Sequence, residues 1–401
     1  EEHIQAVLPD LKARRDGCDA MVCCMSAAEV MRLTRMGRFH MDGEQSGPMA
    51  LLKRLRGNRK NGRKPAGAQQ LSVLRQLPRI LRFIPGTAQD LRAYFLTLQY
   101  WLASSEDNLS RMVTFLVDRY ADGPRAGWRG TLKAGMPIEY PDLGIYHPRM
   151  RGRIGEDIKA LPAPSGDVSG RVGLLIMRSY VLAGNTRHYD QVIDSLEARG
   201  LSVVTAFASG LDARPAVRQF FMKDDQPIVD SVISLTGFSL VGGPAYNDAK
   251  AAEELLRKLD IPYLAAHAVE FQTLEQWEQS DQGLSPIEAT MMVAIPELEG
   301  ATGPMVYGGR SAAGAQDMEA HAERVDMLVS RVDRLIGLRK RKKSDRNIAI
   351  VLFNFPPNAG NTGTAAYLAV KLVLVDTEGG KEARGETRYA LIEIPKDANR
   401  F

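Results

Sequence analysis

Two short apolar runs with one amphipathic segment between them dominate the pattern of hydrophobic and polar positions. Residues 172–177 and 201–207 are continuous apolar runs of strand length, which is typical of strands buried on both faces of a sheet. The segment 188–199 collects its apolar residues on one helical face and is followed by a glycine. The pattern therefore predicts a βαβ unit, and with it a parallel sheet.

The loop before the predicted helix carries the first candidate ligand-binding residues, Arg178, Asn185 and His188. Asn185 or Thr186 is predicted to cap the helix, so that its free N–H groups face the crevice where open α/β sheets bind ligands. Arg178 ends the preceding strand and His188 begins the helix, which places both at this crevice. A hydrogen-bonded structural histidine is the competing interpretation of His188.

The same alternation continues to about residue 345. Strands are predicted at 228–235 and 262–266, and helices at 248–259, 273–279, 287–295 and 319–343. Residues 236–244 form a glycine-rich turn after a strand, where backbone approaches a ligand or another segment closely. Because this turn lacks GxGxxG spacing, the sequence does not predict a dinucleotide site.

A second βα unit is predicted near the end of the chain. Residues 347–355 read as a strand, and the loop that follows leads into a helix from Ala365. The loop's candidate ligand-binding residues are Asn358, Asn361, Thr362 and Thr364, whose polar groups at a helix N-terminus suit a carboxylate or a phosphate. A capped turn with glycines for tight geometry explains the same residues equally well.

The fold class predicted from these patterns is α/β, with parallel Rossmann-like or flavodoxin-like domains and an all-helical insertion. We expect residues 1–40 to end one α/β domain, through a helix at 4–14, a strand at 20–25 and a helix capped by Ser26. The other predicted parts are a helical insertion at 41–130 with helices at 51–55, 68–82 and 91–102, a linker at 131–169, an α/β domain at 170–345, and a further α/β domain with a tail at 346–401.

Residues 53–64 form a basic segment without an acidic residue. Nucleic acid or an acidic protein is one interpretation of such a segment, and a solvated loop between helices is the other. No aromatic residues interleave the charges, as single-strand binding requires, so the solvated loop is favoured and nucleic acid is not the expected partner.

Composition and motif searches exclude several classes of protein. The chain has 401 residues, a hydrophobic share of 44% and a net charge of +4, which is typical of a globular protein with more than one domain. No apolar run reaches the ~20 residues of a membrane span, and the three cysteines lack metal-ligand spacing, so we expect a reduced, cytoplasmic protein. The sequence contains no P-loop, HExxH, CxxC or nucleophile elbow, and its histidines do not predict a metal site.

Several stretches closely resemble the porphyrin-binding large subunit of magnesium chelatase, the H type, and less closely the large subunit of cobaltochelatase. The resemblance runs in the same order from about residue 1 to Ala369. The stretches are Glu29 to Leu33 with Gly37 and Phe39, Leu98 to Leu102 with Asp107 to Leu109, Gly144 to Pro148, Met177 to Ser179 with His188 and Tyr189, Leu196 to Gly200, Gly210 to Asp212, Ser234 to Phe238 with Val241 to Ala245, and Phe355 to Pro357 with Gly360 to Leu368.

The resemblance implies ATP-dependent insertion of Mg²⁺ into protoporphyrin IX, a step of chlorophyll and bacteriochlorophyll biosynthesis. ATP would be hydrolysed by AAA+ partner subunits of the I and D types, and Mg²⁺ and protoporphyrin IX are the implied substrates. The arginine-rich composition looks more like a bacteriochlorophyll-making bacterium's version than a plant's. We further expect that a helix N-terminus after Gly184 or Gly360 holds a porphyrin propionate.

The resemblance ends at about Ala369, and residues 371–401 do not continue the expected helix and strands. The family's C-terminal region with its catalytic histidine and glutamate is absent from these residues, so the chain is expected to be an N-terminal portion of a larger protein, and no catalytic residue is predicted. A cobaltochelatase-type subunit and a two-lobed small-molecule binding module without catalysis are the alternative functions.

Overall fold

The structure of the protein, a computed structural model, describes residues 2–24, 27–41, 77–164, 166–243, 246–312, 317–342 and 345, and the backbone of residues 371–374 and 390–393. By its contacts the chain divides into two units, Glu1–Arg339 and Lys340–Phe401.

The first unit contains fourteen described strands, twelve described α-helices, the 3-10 helices Gly123–Trp128 and Ile158–Ala160, and the π-helix Ala289–Ala294. The strands are β1 Arg35–Met36, β2 Phe39–His40, β3 Leu143–Tyr146, β4 Ile154–Gly155, β5 Gly170–Leu175, β6 Leu201–Ala208, β7 Met222–Lys223, β8 Gln226–Pro227, β9 Ser231–Ser234, β10 Gly242–Gly243, β11 Tyr246–Asn247, β12 Tyr263–Thr273, β13 Thr302–Arg310 and β14 Met318–Ala320. The helices are α1 Glu2–Arg15, α2 Ala28–Met31, α3 Thr87–Ala103, α4 Glu106–Tyr120, α5 Arg178–Leu182, α6 Arg187–Ala198, α7 Arg214–Phe220, α8 Ala249–Leu259, α9 Leu274–Gln279, α10 Pro286–Glu288, α11 Ile295–Glu299 and α12 Ala322–Lys340.

An eight-stranded sheet organises this unit, in the order β14-β13-β12-β9-β5-β6-β3-β4. Strands β5, β6, β9, β12 and β13 are parallel, whereas β14, β3 and β4 pair antiparallel at the two edges. Counted along the chain, the parallel strands lie in the order second, first, third, fourth, fifth. This is the flavodoxin-like doubly wound order, so the predicted α/β fold class with a parallel sheet is confirmed.

Helices cover both faces of the sheet. On one face, α6 and α12 bury residues such as Val192 and Val329 against Leu174 of β5. On the other face, α7 and α8 bury residues such as Val217 and Leu255. Because the central strands are covered on both sides, nearly all of their residues are buried, which agrees with the apolar runs that the sequence shows.

Several predicted element bounds are corrected by the structure. The predicted helix at 287–295 is instead α10, a π-helix at Ala289–Ala294 and α11 in succession. The predicted helix at 319–343 begins only at Ala322, because Met318–Ala320 pairs as an edge strand with β13.

The range 131–169, predicted as a linker, contributes two strands to the sheet. Strand β3 pairs antiparallel with β6, and β4 extends the edge beyond it. The prediction of a linker is therefore wrong for residues 143–155. Gly and Pro residues around these short strands hid them, because a four-residue edge strand leaves little alternation to recognise.

The N-terminal part has a core of its own. Met36 and Phe39 of the β1–β2 hairpin pack with Tyr94 of α3 and Tyr120 of α4. The predicted strand at 20–25 is wrong, since Met21 makes only an isolated bridge to the hairpin. Residues 77–130 are largely helical, whereas Ser26, the basic segment 53–64 and the helices predicted at 51–55 and in most of 68–82 lie outside the described residues.

In the second unit the described residues include two strands, β15 Lys371–Leu374 and β16 Ala390–Glu393, which pair antiparallel. The strand predicted at 347–355 and the helix predicted from Ala365 lie outside the described residues. Throughout the described parts of both units, no helix has the length and apolar character that a membrane span requires.

Replacing Gly144 by alanine is expected to destabilise the first unit by about 1–3 kcal/mol. The added methyl group fits only if strand β3 or the buried ring of Phe207 moves. A Cβ at Gly144 would lie 2.5 Å from Cζ of Phe207 and 3.0 Å from the backbone oxygen of Gly155. The measurement is the midpoint of urea unfolding. Gly127→Ala is the control, since its Cβ would meet nothing within 4 Å; equal midpoints for the two variants would contradict the close approach.

Candidate functional site

Two adjoining clefts open at the carboxyl ends of the parallel strands, where β5 lies between β6 and β9. The strand order reverses at this point, so the loops diverge and leave a crevice. The cavity volume is about 10 Å³ for the first cleft, which is room for about one water molecule, and about 30 Å³ for the second. They share the lining residues Met177, Thr236 and Phe238. Both volumes are far below those of small-molecule sites, so neither cleft admits a small molecule as it stands.

Aromatic rings and methionine thioethers form the walls of the first cleft. The rings belong to Tyr180, His188, Tyr189, Phe238 and Tyr307, which come from α5, α6, the loop after β9, and β13. Three methionines complete the apolar lining. These rings pack mainly on one another, as the contacts of His188 show.

The imidazole of His188 is packed inside this aromatic group and is 1% exposed. Its centroid lies 3.8 Å from the ring of Tyr189, 5.3 Å from Tyr180 and 6.0 Å from Tyr307. Its Nδ1 has no hydrogen-bond partner among the described residues. Burial lowers the pKa of His188 from 6.5 to about 3, so the ring is neutral at pH 7.

A carboxylate supplies the charge at this cleft. Glu270 accepts a hydrogen bond from the Tyr180 hydroxyl at 2.6 Å, and Arg310 donates to the backbone oxygen of Glu270. Burial, with Glu270 adding to it, raises the pKa of Tyr180. The hydroxyl of Tyr307, whose side chain is fully buried, lacks a partner within the described structure. No lysine or arginine lines the cleft, so its charge does not favour an anion.

The second cleft lies beside the glycine-rich loop after β9, and Glu299 holds that loop. This carboxylate is 1% exposed, accepts the N–H of Leu240 at 2.7 Å and accepts the hydroxyl of Ser239. Burial raises the pKa of Glu299. A Cβ at Gly243 would meet Cδ1 of Leu211, so the exposed Leu211 side chain would have to move to admit it. Gly243 therefore lies close to Leu211 of a neighbouring loop.

The structure separates the predicted ligand-binding residues. His188 lines the first cleft, whereas Arg178 donates to the backbone oxygens of Pro141 and Tyr140 at 2.9 and 3.2 Å. The side-chain oxygen of Asn185 accepts the N–H of Met318 at 2.8 Å. Arg178 and Asn185 thus hold backbone in place. The other candidates, Asn358, Asn361, Thr362 and Thr364, lie outside the described residues.

Thr186 occupies the predicted cap position of α6, but its side chain does not cap the helix. Its hydroxyl donates to Asp190 at 3.1 Å and accepts from Arg153 at 3.0 Å. Arg153 also donates to Asp190 at 3.0 Å, and the Tyr146 hydroxyl donates to Asp190 at 2.5 Å. The prediction of a side-chain cap is wrong because the hydroxyl joins this network, which fastens the β3–β4 edge to α6.

Sequence reasoning missed Tyr307 and Glu270. Tyr307 lies in β13, which the apolar pattern does not predict. Glu270 lies in β12, which is predicted to end at residue 266 but continues to Thr273. The glycine pair Gly308 and Gly309 was the available signal, because the backbone oxygen of Glu319 would clash with a Cβ at Gly308.

Three His, Cys, Asp or Glu side chains placed to hold a metal occur nowhere in the described part of the chain. The fold and cleft therefore define a doubly wound α/β protein with a small, largely aromatic crevice at its switch point. Comparison with known families goes further. The family described as CobN/Magnesium Chelatase matches residues 98–377, and a domain of unknown function, DUF3479, matches residues 1–95. The chain belongs to the CobN/magnesium chelatase family.

Individual relatives carry the same names. The chain is 48% identical to the magnesium-chelatase H-type subunit of Rhodobacter capsulatus over 99% of its length, and 50% identical to that of Cereibacter sphaeroides over 92%. It is 36% identical over 98% of its length to the chloroplastic ChlH protein of Oryza sativa subsp. indica, also a magnesium-chelatase subunit. The chain spans about one third of these relatives, 34%, 32% and 29% of their lengths respectively.

The resemblance that the sequence motifs carry is therefore confirmed, and the chain is more similar to the relatives from Rhodobacter capsulatus and Cereibacter sphaeroides than to the chloroplastic one. Gly144 and Tyr146, two residues of a matching stretch, have structural roles: Gly144 allows close packing of β3, and Tyr146 binds Asp190. A matching stretch thus does not by itself mark a substrate contact.

We expect His188→Phe to reduce the loss of stability in acid. Because the folded pKa of His188 is depressed, the unfolded chain takes up a proton below pH 6.5 that the folded chain does not. The stability that the neutral His188 contributes is therefore present above pH 6.5 and is lost as the pH falls toward 3. At pH 5 the free energy of unfolding of the wild type should therefore fall by about 2 kcal/mol through His188, and the variant should not show this loss.

The measurement is urea unfolding at pH 7 and pH 5. His40→Phe, which removes an exposed imidazole, is the matched control and should keep the wild-type acid loss. An identical acid loss in His188→Phe and the wild type would show that His188 is not buried as a neutral ring.

Proposed function

We propose that this chain forms part of the large subunit of a magnesium chelatase, which presents protoporphyrin IX for ATP-dependent insertion of Mg²⁺ in the biosynthesis of chlorophyll or bacteriochlorophyll. The observation that carries the proposal is the 48% identity to a bacterial magnesium-chelatase large subunit over 99% of this chain. Motif-by-motif agreement in the same order along the chain supports it, because unrelated chains do not share such an order by chance.

The chemistry explains why partners are required. Mg²⁺ releases its water ligands reluctantly, and two pyrrole N–H protons must leave before the ring binds the metal. ATP hydrolysis would come from AAA+ partner subunits of the I and D types, since the sequence of this chain has no P-loop. We place this reaction in the cytoplasm of a bacterium, in keeping with identities of 48% and 50% to two bacterial relatives against 36% to the chloroplastic one.

The porphyrin propionates require donors or positive potential. Asn358, Asn361, Thr362 and Thr364 remain the proposed contacts, because their loop is predicted to enter a helix N-terminus. The cleft at His188 fits a carboxylate less well, since it contains Glu270 and no lysine or arginine lines it. We therefore assign propionate binding to the loop 356–364 in preference to the helix α6.

Metal specificity separates the two functions that the family description joins. A magnesium chelatase and a cobaltochelatase of the CobN type would use similar folds, so the metal that is inserted decides between them. A binding module without catalysis would hold its ligand without partner subunits and would insert no metal.

The test is reconstitution of a polypeptide that has the length of the relatives and carries this chain. Combined with its AAA+ partners, MgATP and protoporphyrin IX, it should form magnesium protoporphyrin, which is followed by its fluorescence. Omitting ATP or either partner should abolish the product. Insertion of Co²⁺ but not Mg²⁺ would assign the chain to the cobalt branch, and porphyrin binding without any insertion would favour the binding module.

In the same assay, Asn361→Ala combined with Thr362→Ala should raise the KM for porphyrin about three- to tenfold and change kcat little. The reason is that the lost contacts hold the propionate equally in the ground state and in the transition state. Thr131→Ala, an exposed threonine elsewhere, is the control. An unchanged KM in the double variant would remove the loop 356–364 from the proposed site.

A further inference from the structure

The chain passes from the helical part, residues 77–130, to strand β3 through a segment without regular structure. Residues 132–141, the connecting segment, contain neither helix nor strand, and none of them is fully buried. Backbone N–H and C=O groups outside helices and strands need other hydrogen-bond partners. The position of the connecting segment therefore depends on side chains that reach its backbone.

Two buried side chains of the helical part hold the connecting segment. Asn108 of α4 donates to the backbone oxygen of Ile138 at 3.0 Å and accepts the Ile138 N–H at 2.8 Å. The hydroxyl of Tyr100, in α3, donates to the backbone oxygen of Gly135 at 2.6 Å. Asn108 and Tyr100 are at most 1% exposed, so packing fixes them, and residues 135–138 follow the positions of α3 and α4.

Arg178 holds the other end of the connecting segment. Its Nε donates to the backbone oxygen of Pro141 at 2.9 Å, and its Nη2 donates to that of Tyr140 at 3.2 Å. A charged donor makes stronger hydrogen bonds than a neutral one. Because Arg178 is the first residue of α5, residues 140–141 are tied to α5 at the carboxyl end of β5.

One residue, Glu139, separates the two sets of hydrogen bonds. An extended chain advances at most about 3.6 Å per residue, so a link of this length absorbs little displacement. A movement of α4 that displaces Ile138 therefore pulls on Tyr140 and on its hydrogen bond with Arg178.

Helix α5 forms part of the wall of the first cleft. The hydroxyl of Tyr180, in α5, donates to Glu270 of β12 at 2.6 Å, and the Tyr180 ring lies 5.3 Å from that of His188. Strand β9 lies between β5 and β12 in the sheet, so this hydrogen bond joins the two sides of the crevice. Because α5 has five residues and no side-chain cap, its order depends on such contacts.

We propose that the connecting segment couples the helical part to this wall of the crevice. Asn108 acts as a positioning residue, because its hold on the connecting segment keeps Arg178 and α5 in place. A displacement of α3 and α4 releases the hydrogen bond between Tyr180 and Glu270. A protein that docks on the helical part would change the crevice wall in this way without touching it. The coupling is separate from the porphyrin contacts proposed on the loop 356–364.

Hydrogen–deuterium exchange tests the coupling, measured by mass spectrometry on a polypeptide of the relatives' length that carries this chain. Asn108→Ala should speed exchange of the hydrogen-bonded amides in residues 181–185 about three- to tenfold, because the lost hydrogen bonds raise the fraction of chains in which α5 is open. Thr114→Ala is the matched control on α4. Its hydroxyl donates to the backbone oxygen of Ser110 within the same helix, so its loss should leave exchange in α5 unchanged.

Arg178→Lys separates the coupling from a general loosening of the chain. Lysine keeps the charge and loses the geometry that reaches two carbonyls, so residues 181–185 should exchange faster in this variant as well. Adding Asn108→Ala to Arg178→Lys should cause no further increase, because the link is already broken. Tyr100→Phe keeps the buried ring and removes the hydrogen bond to Gly135. It should speed exchange of the same amides about threefold, and it tests the coupling even if Asn108→Ala does not fold.

Unchanged exchange of residues 181–185 in Tyr100→Phe overturns the proposal, and so does unchanged exchange there in a folded Asn108→Ala whose residues 135–138 exchange faster. The proposal is also overturned if the rate increases of Asn108→Ala and Arg178→Lys multiply in the double variant, because the two side chains would then act independently. Each of these results leaves magnesium insertion untouched, since the reconstitution assay measures it separately.

Discussion

The pairing of β5 with β6 on one side and with β9 on the other is the interaction on which the rest of the structure depends. In both pairs the strands run parallel, and the register joins Val172 to Val203 and to Ser231. Parallel neighbours require crossover helices, so this pairing places helices on both faces and reverses the winding direction at β5. The reversal opens the crevice, and the loops after β5 and β9 become its walls.

Polar side chains then fix the segment before β3 and the β3–β4 edge to the neighbouring helices. Asn108, which is fully buried in α4, bonds both backbone groups of Ile138 at 3.0 and 2.8 Å and so ties the segment before β3 to the helical part. The Arg153, Tyr146 and Asp190 network fastens the β3–β4 edge to α6. The tie through Asn108 is costly to break, because removing its buried amide leaves both backbone groups of Ile138 without these partners.

The elements that could be predicted from sequence are those whose own residues show a regular apolar pattern. Strands β5 and β6 are mostly apolar and α6 is apolar on one face, so their pattern alone identified the βαβ unit. Strand β13 escaped prediction because glycine, proline and polar residues interrupt it, and it is recognisable only through its partner β12. The short edge strands β3 and β4 form because β6 offers an unpaired edge, which no local pattern encodes.

The candidate site was predicted only in part, because some of its residues lie in elements that have no local pattern of their own. His188 follows directly from its place at the start of α6, whereas Glu270 and Tyr307 are brought to it by strands distant in sequence. Arg178 and Asn185 were chosen for their chemistry, which the fold uses to hold backbone at residues 140–141 and 318. Sequence spacing identifies the edge of the sheet at which a residue lies, but the partner that a side chain binds depends on tertiary packing.

The most direct measurement of the central claim, that these residues carry part of a porphyrin site, is a titration with deuteroporphyrin IX. A polypeptide of these 401 residues, shown to be folded by circular dichroism, would be followed by quenching of its three tryptophans and by the porphyrin absorbance shift. The account predicts saturable binding of one porphyrin per chain. Absence of binding, while a polypeptide of the relatives' full length binds porphyrin under the same conditions, would contradict it.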